Sequence, residues 1–212
     1  MDNNKINYSD FYYLIDPLVS KFIRLGIQKP VPQFKLIIGA FRNEINFEQP
    51  LILVQESGRL VVDILWSSYP PVFVVSQTIL DILIDNKLFG WNTYPVKVFD
   101  KELQTLNNYF GFAVTGRVGN QDFNRGQIEI IPPTRKGGKP HKAFKGLYFI
   151  DDEWDGNDFC VTGFGGGPVV TKNVVNIFKE SNVKNVAFIP LPEYETSYDA
   201  LTITGNLPTI EQ

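Results

Sequence analysis

The chain has 212 residues, of which 43% are hydrophobic and 20% charged, and a formal net charge of −3. That length buries a substantial core as one large domain or two small ones. The slight acidic excess gives no whole-molecule attraction to nucleic-acid phosphates or an anionic membrane, so neither is expected as a partner, and a basic protein suits it better.

The N-terminal MDNNKINYSDFYY lacks the basic region and apolar run of a secretory signal. No stretch is apolar for long enough to cross a bilayer. Asp16 followed by Pro17 is read as the cap and start of a short helix through Leu25, stopped by Gly26. PLILVQESGRLVVDILW is read as a hairpin turning at Glu56 to Arg59. PPVFVVS is a β-branched and aromatic strand, and Ser76 is placed to cap a helix whose buried face is Ile79, Leu80, Ile82 and Leu83, ending near Asn86. A strand from Thr93 to Phe99 follows, and Pro95 within it argues for a sheet edge or a bulge. From Gly116 to Gly146 glycine, proline and basic residues dominate around one strand-like run, Gln127 to Ile131. The stretch TRKGGKPHKAFKG presents Arg135, Lys136, Lys139, Lys142 and Lys145 from a solvated loop.

Next comes IDDEWDGNDF, with five carboxylates around one indole. Asp151, Glu153, Asp155 and Gly156 resemble the start of a calcium loop, but Thr162 stands where the bidentate Glu belongs, so no metal is assigned. Asp151, Asp152, Glu153, Trp154 and Asp155 are instead candidate partner-binding residues, carboxylates around an aromatic anchor. Cys160, the only cysteine, excludes an intramolecular disulfide and reads as part of a buried strand, so a cytoplasmic location is expected. GFGGGP between a strand and a helix lacks the spacing and the Lys of a phosphate-binding P-loop. GPVVT, a helix capped by Thr171 with Val174, Val175, Ile177 and Phe178 on one face, and a strand from Val186 to Leu191 complete the pattern.

These elements repeat. Ser76 to Val96 aligns with Thr171 to Leu191 without a gap, bringing Pro95 onto Pro190; Asp63 falls on Asp158, and YFGFAVTG (Tyr109 to Gly116) reads against YDALTITG (Tyr198 to Gly205). The expected fold is α+β, with two similar strand-strand-helix-strand-strand units and largely antiparallel sheet. Its organisation is an N-terminal subregion 1–58 packed on the first unit, a first unit 59–118, a connecting segment 119–150, and a second unit 151–212.

No GxSxG elbow, HExxH helix or cysteine-histidine cluster is present, and the only histidine, His141, lies in the basic stretch. No catalytic residue and no cofactor is assigned; a hydrolase built from distant carboxylates stays open. The elements V-V-S-x-x-x-x-D-I-L followed by Y-P-V, and V-V-T-x-x-x-x-N-I-F followed by N-V-A-F-I-P-L, resemble immunity proteins of bacterial polymorphic toxin systems, a broad family long catalogued as a domain of unknown function. The resemblance spans Asp63 to Val96 and Asp158 to Glu193. It implies a cytoplasmic protein that neutralises a cognate toxin domain by steric occlusion, with no catalytic residues. The alternative is a small-molecule or glycan-binding module using a cleft between the units, with Trp66, Trp91 and Tyr94 as candidate lining.

Overall fold

The computed structural model describes residues 6–28, 32, 34–46, 48–133, 135–162 and 167–197. The architecture is mixed α+β and dominated by sheet. In chain order the elements are β1 (Phe11–Ile15), β2 (Arg24–Ile27), α1 (Phe34–Phe41), β3 (Leu51–Ser57), β4 (Ile64–Ser67), β5 (Phe73–Ser76), α2 (Gln77–Asp85), β6 (Trp91–Tyr94), β7 (Val96–Phe99), β8 (Tyr109–Val114), β9 (Gly116–Arg117), β10 (Gln127–Ile131), β11 (His141–Lys145), β12 (Phe159–Val161), β13 (Val169–Thr171), α3 (Lys172–Glu180), β14 (Ala187–Pro190) and β15 (Glu195–Ser197). A seven-stranded sheet has the order β6-β8-β5-β4-β2-β3-β7, a five-stranded sheet β14-β1-β13-β12-β9, and a three-stranded sheet β10-β11-β15. Most neighbours are antiparallel; β2 with β4, β3 with β7 and β9 with β12 are parallel.

The two larger sheets share one core. Side chains alternate along each strand: Ile64, Trp66, Phe73, Val75, Phe112 and Val114 of one sheet, and Phe159, Val161 and Val170 of the other, join the apolar faces of α2 and α3 in a single cluster. The intervening residues point outward into separate cores. Leu65, Val74 and Ala113 meet Ile37 and Ala40 of α1, while Cys160 and Val169 meet Tyr8, Phe11, Phe149 and Leu191. Burial on both faces explains why these strands read as unbroken apolar runs.

α2 and α3 start where the sequence predicts, directly after Ser76 and Thr171, and α2 ends at Asp85, next to the expected Asn86. Ser76 Oγ accepts from Ile79 N at 3.4 Å. Thr171 departs from its expected role, because its hydroxyl donates to Asp158 Oδ1 at 2.7 Å and does not cap α3. Lys87 and Asn182, at φ 53° and 54°, turn the chain out of each helix, and Leu88 N and Val183 N donate back to the Leu83 and Phe178 carbonyls. Pro95 separates β6 from β7, the two outermost strands of their sheet, and Pro190 lies in β14, outermost among the described residues of its own.

Three expectations are corrected. Asp16 starts no helix: its carboxylate accepts from Leu18 N at 2.8 Å and pairs with Arg24, and the chain enters β2. β3 and β4 do not form a hairpin, because β2 lies between them, antiparallel to β3 and parallel to β4. The basic stretch is only partly loop, since His141–Lys145 is β11 paired along its length with β10. Residues 163–166 of the glycine-rich segment and Tyr198 to Gly205 lie outside the described residues. The strand beside β13 and β14 is the N-terminal β1, with Tyr13 opposite Val169 and Ile189; β8 occupies the same kind of position, with Gly111 opposite Val74 and Tyr94.

Candidate partner-binding site

The acidic segment is a tightly tied loop beside the third core. Asp151 begins a 3-10 turn, Asp151–Glu153. Its carboxylate accepts from the Tyr8 hydroxyl and from Arg125 Nη1 at 2.6 Å, and Arg125 also pairs with Asp122 at 3.1 Å. Burial pushes the Asp151 carboxyl up, but the hydrogen bonds from Tyr8 and Arg125 outweigh it and hold the group below the usual carboxylate range. Burial, reinforced by Asp151, raises the Tyr8 hydroxyl far above an ordinary phenol.

The other carboxylates bind backbone. Glu153 accepts from Asn120 N at 3.0 Å, and Asp155 from Arg117 N at 2.7 Å and Asn157 N at 3.0 Å. The Asp152 side chain lies outside the description. Trp154 stacks edge-on against Phe11 at 5.0 Å and donates from its indole to the Asn157 carbonyl at 3.1 Å, so it is a half-buried anchor of the protein's own core. Asp151 and Trp154 do converge on one groove of about 410 Å³, together with Asp10, Phe11, Thr171 and Lys172. Among the described residues no group of three or more His, Cys, Asp and Glu is arranged to hold a metal.

Asp158 reaches across to the neighbouring sheet. Its Oδ2 accepts from Phe89 N at 3.1 Å, and the Phe89 carbonyl accepts from Asp158 N at 3.1 Å and Phe159 N at 3.0 Å. Phe89 itself is 61% exposed. This aromatic, its backbone tied to Asp158 and Phe159 beside the carboxylate loop, is absent from the sequence-based site. Its only signal was an apolar residue just past a helix end, out of phase with the buried face.

A second cavity of about 320 Å³ opens where β1 of one sheet meets β2 and β4 of the other, lined by Tyr13, Arg24, Trp66, Ser67, Pro71 and Pro168 among others. Trp66 is part of this lining, and its indole donates to the Asn185 carbonyl at 2.7 Å. Trp91 and Tyr94 do not line it: Trp91 stacks on Phe112 and Tyr94 is buried in the second core. His141 is exposed in β11. Compared with protein-family models and with curated proteins, the chain matches none.

Proposed function

We propose that the chain acts by stoichiometric binding of a protein partner, as an immunity protein does toward the toxin domain from which it protects its producer. The observation that carries the reading is Phe89, a largely exposed aromatic whose backbone makes three hydrogen bonds to Asp158 and Phe159, at the end of the loop bearing Glu153 and Asp155. An exposed aromatic on a firmly held backbone offers an apolar contact, and the exposed Glu153 and Asp155 on the neighbouring loop add negative charge that suits a basic surface. Occlusion needs only affinity and position. The test is affinity capture of the tagged protein from its native host, with mass spectrometry of what survives a moderate salt wash. A stoichiometric toxin-like polypeptide, lost with Phe89→Ala, is expected; capture unaffected by that change refutes the assignment of the surface.

The scaffold under this surface is, in our reading, a tandem duplication, with its frame set by strands rather than by the continuous units read from the sequence. Ser76 with Asp63 and Thr171 with Asp158 make the same hydroxyl-carboxylate bond. β1 and β8 take the same register between their neighbours. The next strands carry R-L-G-I-Q (Arg24 to Gln28) and R-V-G-N-Q (Arg117 to Gln121), and both arginines pair in parallel, with Trp66 and Val161. β1 thus belongs to the first half by sequence and to the sheet of the second half in space, and β8 makes the reverse exchange.

The 320 Å³ cavity supports a second reading, a small ligand held between the sheets against Trp66 and Arg24. Ligand-dependent thermal stabilisation abolished by Arg24→Ala, with no captured partner, is the result that favours it.

A further inference from the structure

The duplicated frame makes one element stand apart. In the first half Gln28 N donates to the Ile52 carbonyl at 2.9 Å, and in the second Gln121 is bridged to Phe149. Between those points the first half inserts α1, which buries Ile37, Ala40 and Phe41. The second half inserts the β10–β11 hairpin, which turns apolar side chains outward: Ile128 is 37% and Ile130 71% exposed. Opposition of Ile128 to Phe144 and Ile130 to Lys142 puts both isoleucines on one face. Among the described residues β10 has a strand on one side only, so its outer amides and carbonyls form an open edge.

Edges of this kind are ordinarily blunted by charges on the edge strand itself. Here β10 carries a single charge, Glu129, paired with Lys145 at 3.4 Å. The cations lie beyond it: Ile130 to Ile150 contains Arg135, Lys136, Lys139, Lys142 and Lys145 and no Asp or Glu, and Arg135, Lys136 and Lys139 are exposed at the hairpin tip. The arrangement joins an open ladder, an apolar face and a positive end, which fits a strand bearing alternate apolar and acidic side chains.

We propose that β10 is a docking edge for an extended acidic segment of a partner protein, which adds as a strand over Ile128 and Ile130 and sets its carboxylates against Arg135, Lys136 and Lys139. This rests on the protein-binding reading above. The test uses the full chain and a capped synthetic peptide of alternating valine and glutamate, followed by NMR at low salt. Binding is expected, with shifts confined to residues 127–145, and weakened about tenfold or more, or about 1.4 kcal/mol, by Arg135→Glu with Lys136→Glu and Lys139→Glu. Ile130→Asp should weaken it independently, and an unchanged amide spectrum elsewhere verifies both folds. Absence of binding, unchanged affinity in the variants, or preference for oligothymidylate of equal charge overturns the proposal. Phe89 is intact in these variants, so a negative result leaves the capture experiment standing, and failure of capture leaves the peptide result standing.

Discussion

Replacing Gly90 by alanine tests how closely the two sheets are joined. Gly90 has φ +92°, and a Cβ there would lie 2.2 Å from the Phe159 carbonyl oxygen and 2.7 Å from Asn157 Cβ. The carbonyl is backbone and its residue is paired in β12, so no flexible side chain can swing aside. The unfavourable backbone conformation costs about 1–3 kcal/mol, and forcing an extra methyl into a packed junction about 1–3 kcal/mol more. Against a total stability of about 5–15 kcal/mol the loss is large. Gly137→Ala is the control: φ is +84°, but nothing lies within 4 Å, so only the conformational cost applies. In urea titrations followed by tryptophan fluorescence, with slopes of about 1–3 kcal/mol/M, Gly90→Ala should lower the midpoint by about 1 M beyond the control. Equal midpoints for the two variants would refute the close junction.

Asn185→Ala should destabilise the fold by about 2–4 kcal/mol, because it strands the buried Ile64 carbonyl that Asn185 Nδ2 reaches at 2.8 Å and leaves a non-glycine residue at φ 64°; Asn185→Gly, which tolerates that φ, should cost less in the same titration. Asp151→Asn should lower stability at neutral pH. A depressed native carboxyl contributes stability above its unfolded value of about 3.9, lost as pH falls through the lower native value, so variant and parent should converge in acid denaturation curves. Burial and then the Asp155 carboxylate raise the Cys160 thiol well above the ordinary range, so it should resist disulfide-exchange reagents at mildly alkaline pH until urea unfolds the chain. Phe89→Ala should change stability by no more than about 0.5 kcal/mol, as befits an exposed site, while reducing partner affinity about tenfold or more.

Local chemistry made the helices legible. Ser76 and the Ile79, Leu80, Leu83 face mark α2, and Pro95 and Pro190 forecast outer strands, because these signals depend on neighbours in sequence. Pairing did not follow from adjacency. Leu51 to Trp66 has the composition of a hairpin, yet β2 separates its strands, an arrangement decided by contacts distant in sequence. The α1 segment carries an apolar run but no cap residue that announces it. At the site, a cluster of carboxylates reads identically whether it faces solvent or its own backbone. Asp151, Glu153 and Asp155 are mostly spent on Tyr8, Arg125 and loop amides, and Phe89, the exposed anchor, gave no periodic signal.

The position of β1 governs how the protein can be made. During synthesis Phe11–Ile15 is made before every strand of the seven-stranded sheet, whereas its neighbours Val169–Thr171 and Ala187–Pro190 are made after all of them. The seven-stranded sheet can assemble once Val114 has been added, while an apolar pentapeptide waits without a ladder. The five-stranded sheet therefore completes after every strand of the seven-stranded sheet has been made, and β1 is paired long after its own synthesis.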